Sequence, residues 1–241
     1  MSSSLQRRFG SLTPEEASRL DAMALELGLE IAQLMEIAGF QVARCAWRML
    51  GRRAAPVHVI AGHGHNGGDG LVAARHLAGW GCAVTAAVLS EPEALDVLMR
   101  QQSAAAAGAG ASLQVSPSPA RVLRGIDQSA IVIDALLGTG LREPPRPAHA
   151  EVIDGLRGTI VSIDVPSGLD ATTGTAPGAA VRATITCTLA AMKRGLWNQA
   201  AREYTGEIVV ADIGMPQQAW RRCGLIAPSS LRGGRMVTLR R

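Results

Sequence analysis

Residues 57–70 read VHVIAGHGHNGGDG, and the fold turns on how this stretch is read. Val57, Val59 and Ile60 form a short, β-branched apolar run, which suits a strand buried on both faces of a parallel sheet. Glycine then stands at 62, 64, 67, 68 and 70. Without Cβ atoms such a turn is free to take positive φ and to bring its N–H groups close to an anion. Leu71 to Trp80 reads as the helix that follows, with Val72, Ala73 and Leu77 available for packing. A strand, a glycine turn and a helix N-terminus together favour a phosphate, because orphan amides and the helix dipole attract negative charge. Residues 62–67 also satisfy G-x-G-x-x-G, a pattern of low specificity alone. Asn66 and Asp69 make the turn more particular. Asp69 is either the cap of the helix or a group that meets a sugar hydroxyl or a cation, since a bare carboxylate repels phosphate.

Working outward, the 241 residues are 47% hydrophobic and 18% charged, which is the composition of a globular chain with a sizeable core. The formal charge is +4. Arg232, Arg235, Arg240 and Arg241 crowd a tail that has no acid, so the body is nearly neutral. With 3% aromatic residues there are few platforms for stacking bases, which argues against a nucleic-acid partner. Cys45, Cys82, Cys187 and Cys223 lie far apart without C-x-x-C spacing, as free thiols in a reducing compartment would. Arg7 and Arg8 precede no apolar signal core, and no span of about twenty apolar residues occurs, so a cytoplasmic protein without membrane association is expected.

In chain order, Met1 to Leu12 is polar and expected to fray. Thr13-Pro14-Glu15-Glu16 predicts a capping box and a helix from Pro14, interrupted at Gly28. Ile31, Leu34, Met35, Ala38, Val42, Cys45, Ala46 and Met49 recur at helical spacing, predicting an amphipathic helix from Ile31 to Leu50. Glu36 in that stripe reads as a solvated flank or as a partner for a lysine or hydroxyl in the site. Further strands are predicted at Ala83–Leu89, Leu113–Val115, Ile131–Asp134, Thr159–Ile163, Thr184–Leu189 and Glu207–Ala211. Ser90 with Glu93 suggests a second capping box, opening a helix through Met99. Short helices are expected near Arg121–Arg124 and Ala148–Leu156, with Pro144, Pro145 and Pro147 keeping the preceding loop irregular. Strands alternating with helices imply a doubly wound, mostly parallel α/β sheet with no internal repeat.

In such a sheet ligands bind beyond the carboxyl ends of the strands. The glycine turn, Asp134 and Asp164 each follow an apolar run, so all three should meet on one rim. Converging carboxylates repel, and gathering them calls for a cation, a shared proton or both. Asn66, Asp134 and the Ser167 hydroxyl offer oxygen ligands of low total charge, which suit a hard, weakly held cation better than zinc. Asp164 is then the candidate acid or base.

Four ordered motifs, GHGHNGGDGLVAARHL (62–77), DALLGTGL (134–141), SIDVPSGLDATTG (162–174), and Lys193 followed by VADIGMP (210–216), resemble the NAD(P)H-hydrate epimerase family, the YjeF N-terminal domain. The resemblance spans Thr13 to Pro216. It makes residues 13–216 the domain, residues 1–12 a flexible N-terminus and residues 217–241 a C-terminal extension with a basic tail. It implies a Rossmann-like three-layer α/β/α sandwich, a homodimer, one bound potassium ion per subunit, and interconversion of the R and S epimers of hydrated NADH and NADPH, a nicotinamide nucleotide repair reaction. The resemblance leaves room for a separate dehydratase acting in the same pathway; no kinase-like dehydratase domain follows Pro216 in this sequence. By motif, His65, Asn66, Gly67, Gly68 and Asp69 would contact the nucleotide. So would Gly138, Thr139, Gly140, Leu141, Arg142, Glu143, Pro144 and Asp164. Asn66, Asp134 and Ser167 would hold potassium. Asp164 and Lys193 would be the catalytic pair, Lys193 facing Asp164 or a phosphate.

The implied chemistry needs few groups. Once an acid protonates the ring hydroxyl, the neighbouring nitrogen lone pair expels it, and water adds to either face of the planar cation. Asp164 could serve both steps, with Asp134 and Asp69 as an anionic wall. Three departures from the family pattern stand out: His65 replaces an asparagine in the turn, Ile37 stands where asparagine is common, and Cys187 replaces a frequent phenylalanine. His65 motivates an alternative, a catalytically impaired module that still binds a nucleotide metabolite. An NAD-dependent oxidoreductase rests on G-x-G-x-x-G alone and lacks a clear ribose carboxylate, Glu91 being the nearest.

Overall fold

The computed structural model describes residues 3–126, 130–141 and 143–239. The chain enters through α1 (Ser3–Phe9), α2 (Pro14–Glu26) and α3 (Ile31–Met49), and then alternates β1 (Val57–Ala61), α4 (His65–Gly79), β2 (Val84–Leu89), α5 (Val97–Gly108), β3 (Ser112–Ser116), α6 (Pro119–Val122), β4 (Ile131–Ala135), α7 (Pro147–Gly155) and β5 (Thr159–Ile163). It closes with β6 (Ile185–Leu189), α8 (Arg202–Thr205), β7 (Glu207–Ala211), α9 (Gln217–Arg222) and β8 (Met236–Leu239). The strands form one sheet in the order β3-β2-β1-β4-β5-β6-β7-β8. All pairs are parallel except β7 with β8. Strand order reverses between β1 and β4, the topological switch point at which open α/β sheets bind ligands.

The expected buried runs account for this sheet. Every residue of β1 and of β4 is buried, as strands covered on both faces must be. Val57, Val59 and Ala61 of β1 join Leu34, Ala38, Val42, Leu71 and Leu77 of α3 and α4 on one side. Ile60, Val132 and Ile160 meet Val122, Val152 and Ile153 of α6 and α7 on the other. Helix, sheet and helix make the three layers expected. Helix α2 begins at Pro14 behind the Thr13–Glu16 capping box: Glu16 N–H donates to Thr13 Oγ1 at 3.1 Å and Thr13 N–H to Glu16 Oε2 at 2.8 Å.

The structure departs from the sequence reading in four places. First, α4 begins at His65, so Gly67, Gly68 and Gly70 lie inside its first turns and none of them has positive φ. These glycines permit close approach. A Cβ on Gly67 would overlap the Gly62 carbonyl oxygen, and one on Gly70 the Ala135 methyl. Asp69 accordingly lies in the second turn and is not the cap; Gly64 is. Second, the Ser90–Glu93 capping box does not form. Pro92–Ala94 is a single 3₁₀ turn, and Asp96 caps α5 by accepting from Met99 N–H at 2.7 Å. Third, Met1 to Leu12 was expected to fray, yet it contains α1, with Phe9 and Leu12 buried. Fourth, residues 217–239 were expected to form an extension. They contribute α9, with Trp220 buried, and β8, whose Leu239 opposes Ile208. Arg240 and Arg241 lie outside the described residues.

The contrast between two glycines of α4 gives a test. Gly67→Ala should destabilise by about 2 kcal/mol or more, because the clash is with backbone that cannot rotate away. Gly79, with open space where a Cβ would stand, should gain roughly 0.4–1 kcal/mol on conversion to alanine through the unfolded chain. Urea unfolding midpoints check both, and equal effects would contradict this packing.

Candidate active site

The loops after β1, β4, β5 and β6 open on one cavity of about 920 Å³ at the switch point. Such a volume suits a small organic ligand or cofactor. His65, Asn66, Gly67 and Asp69 line it from α4, and Gly138, Thr139, Gly140, Leu141, Glu143 and Pro144 from the loop after β4. Asp164 and Lys193 line it from the loops after β5 and β6. Gly68 is turned away, its Cα packed against the Met35 side chain. Arg142 lies outside the described residues.

Asp164 and Lys193 are an ion pair, and Lys193 is buried rather than solvated. The Lys193 ammonium donates to Asp164 Oδ1, to the Leu189 carbonyl at 2.7 Å and to the Ala191 carbonyl at 3.3 Å. Asp164 Oδ1 also accepts from Leu189 N–H at 3.0 Å and from the Thr188 hydroxyl at 3.2 Å. Asp164 has φ +65°, and Ala190, across the same loops, has φ +61°. Non-glycine residues held in this region cost about 1–3 kcal/mol each and gather at functional sites. Here the side-chain bonds of Asp164 and its N–H bond to the Cys187 carbonyl at 2.8 Å hold the conformation.

Asp134 behaves differently. It is fully buried, does not line the cavity, and so is no part of an anionic wall. Its Oδ2 accepts from Ser162 Oγ at 2.7 Å and Ser167 N–H at 2.9 Å, and its Oδ1 from Ser167 Oγ at 2.5 Å. Burial raises the Asp134 carboxyl above the usual range, while these hydrogen bonds oppose the rise. Ser167 Oγ also accepts from Leu137 N–H at 2.8 Å, and Asn66 Nδ2 donates to the Leu137 carbonyl at 3.0 Å. Asn66, Asp134 and Ser167 are therefore brought together around Leu137, with Asp134 and Ser167 behind the cavity wall and only Asn66 on it.

The sequence reading missed Asp21, His63, Arg146 and His149, all of which line the cavity. Asp21 shares the cavity face of α2 with Ala17, Ser18 and Leu25, a helical spacing of uncharged residues around one acid that was visible in the sequence. Enclosure by the protein pushes Asp21 up to about 6, with Lys193 lowering it and Asp164 raising it, although its side chain stays open to the water of the cavity. The Asp69 carboxyl, 8% exposed, is driven well above the carboxylate range by burial first, then by Asp164 and Asp21, against the pull of Lys193. His149 Nδ1 is buried without a hydrogen-bond partner among the described residues, and burial lowers its pKa. Glu36 stays outside the cavity, paired with Arg75 at 2.5 Å and His76 at 2.8 Å.

The model of the family described as YjeF-related protein N-terminus matches residues 31–195. A protein from Dehalogenimonas lykanthroporepellens named NAD(P)H-hydrate epimerase is 38% identical over 86% of this chain and 82% of its own length. One from Hyperthermus butylicus, named bifunctional NAD(P)H-hydrate repair enzyme Nnr, is 39% identical over 87% of this chain but only 39% of its own length. The chain thus spans about two fifths of such bifunctional relatives. The crystal structure of the yeast protein YNL200c superposes with a TM-score of 0.81 over 95% of this chain and 99% of that one, at 24% identity, and shares the fold.

The buried ion pair generates its own test. Lys193→Met should destabilise by about 3 kcal/mol, because it leaves the Asp164 carboxylate without its counter-ion. Adding Asp164→Asn should recover part of that loss, and strictly additive penalties in a denaturant double-mutant cycle would show that the two are not coupled.

Proposed function

Because the chain belongs to the YjeF-related N-terminal family, we propose that it is an NAD(P)H-hydrate epimerase, an isomerase interconverting the R and S epimers of hydrated NADH and NADPH. The observation that carries this reading is the cavity at the switch point, with an ion-paired, backbone-strained Asp164 on its wall. The reaction asks for little more: a site that holds a nucleotide, a group that moves a proton to the departing hydroxyl or from the incoming water at one ring carbon, and a planar cationic intermediate sheltered between faces. In this reading His65, Asn66, Gly67, Asp69 and the 138–144 loop seat the nucleotide. Asp164 meets the hydroxyl-bearing carbon, and Lys193 fixes its orientation. Three donors hold Asp164 Oδ1, which fixes the carboxylate and leaves Oδ2 as the oxygen at which water would surrender a proton.

Potassium at Asn66, Asp134 and Ser167 belongs to the same proposal. The donor set fits: it is all oxygen, carries one formal charge, and centres on a buried carboxylate whose partners among the described residues are hydroxyls and amides without a cationic side chain. Lying behind the wall, these residues would use the ion to hold the loops after β1, β4 and β5 together. A homodimer, a cytoplasmic setting and a separate dehydratase acting on the same hydrates complete the proposal. No helix among the described residues is long and apolar enough to cross a membrane.

Incubating the protein with one pure epimer of hydrated NADH at neutral pH should bring the two forms to equilibrium far faster than the spontaneous reaction; a spontaneous rate would sink the assignment. Asp164→Asn should lower the rate on the order of 100-fold or more, with ligand-induced thermal protection retained. Potassium added to ion-free protein should raise the melting temperature of the wild type and leave that of Ser167→Ala unchanged. An equal rise in both would remove the ion from these residues.

A further inference from the structure

We propose that two carboxyl groups divide the proton chemistry, Asp69 giving a proton to the departing hydroxyl on one face of the ring and Asp164 taking one from the water that adds on the other. This deepens the epimerase reading and rests on it. The two groups line the same cavity and are built as opposites. Asp164 is an acceptor three times over at one oxygen, its partners being Lys193, Leu189 N–H and the Thr188 hydroxyl. Asp69 is more than nine-tenths buried, yet its side chain makes no hydrogen bond or ion pair among the described residues and faces the cavity. A carboxylate in that position keeps only the cavity side for water and has no protein donor among the described residues, which favours the neutral acid, and the neutral acid has a proton to give.

The charged neighbours point the same way. Asp164 and Asp21 lie within electrostatic reach of Asp69 and disfavour a third negative charge, while Lys193, already paired with Asp164, pulls against them. Burial is the largest influence and it raises Asp69. The N-terminal dipole of α4 favours the anion, but it is the weaker effect on a group this desolvated. Environments that push two carboxyl groups apart are how one site runs acid and base steps at a single pH.

The proton and electron count closes. The C–O bond to the ring hydroxyl breaks, its electron pair leaves with oxygen, and that oxygen takes the Asp69 proton and departs as water. The ring nitrogen lone pair becomes the second bond of the planar cation. Water attacks the opposite face, the nitrogen regains its pair, and Asp164 receives the proton. Asp69 is then ionised and Asp164 protonated, which is the state that converts the opposite epimer. Asp21, open to the cavity water and within electrostatic reach of both, is placed to return the proton.

The sign of the pH dependence follows. Asp69 works protonated, so activity is lost as pH rises through its raised pKa. The test begins with the wild type, whose kcat/KM profile should show an alkaline limb; a wild type no faster than the spontaneous reaction would overturn the epimerase reading itself. Given an active wild type, Asp69→Asn should lower kcat roughly 100-fold or more, change KM less than about threefold, and abolish the alkaline limb. It should also unfold at higher denaturant than the wild type at pH 8, since asparagine carries no ionisation penalty. An active wild type without an alkaline limb overturns the division of roles alone. So does a variant that keeps kcat within about threefold, or one that loses activity with the limb intact.

Discussion

The buried pair between Lys193 and Asp164 is the constraint on which the cavity depends. A lysine ammonium with 4% of its side chain exposed cannot be left unpaired, and it draws the loops after β5 and β6 against each other. The same lysine loop carries more than chemistry. Leu12 bridges to it, with Leu12 N–H donating to the Met192 carbonyl at 2.9 Å and Arg194 N–H to the Leu12 carbonyl at 2.8 Å. One turn beyond lies the capping box of α2, so the segment that holds Lys193 also sets where α2 starts and brings Asp21 to the cavity.

Asp134 performs the complementary task one strand over. Its hydrogen bonds to Ser162 and Ser167 tie β4 to β5 and to the turn that follows, and Ser167 and Asn66 extend the tie to Leu137 and α4. Carboxylates at adjacent strand ends thereby take different duties. The one behind the wall, held by hydroxyl and amide donors, ties the loops together, with or without an ion beside it, and the ones that face open volume are available to a nucleotide. Residue type does not separate these roles; the number and kind of donors around each oxygen does.

Glycine in α4 shows how a close approach differs from a flexible turn. Gly62, Gly67, Gly68 and Gly70 bring the β1–α4 connection against the loop after β4, against Met35 and against Ala135. The first turn of α4 can then sit directly on the strand ends, and Asp69, one turn in, can face the cavity from within a packed helix. A helix beginning at Leu71 would have left Asp69 on a loop with water to solvate it. The raised pKa of Asp69 is thus a consequence of where the helix starts.

By itself the sequence determined the doubly wound sheet, the order of strands through β7, the α2 capping box, and the convergence of Asn66, Asp69, Asp134 and Asp164 at one edge. Those follow from apolar periodicity and from strand ends marked by an acid and a glycine, which are local signals. What only the tertiary structure decided is which neighbours each group acquired. β8 has a short, half-buried pattern that becomes a strand only because β7 offers an open edge. Asp21 lies nearly fifty residues before Asp69 and is drawn beside it by the packing of α2 over the cavity mouth. The separation of Asp134 from the cavity, the burial of Lys193 and the solitary burial of Asp69 all depend on partners distant in sequence. Desolvation and pairing are properties of a finished interior, and no spacing along the chain encodes them.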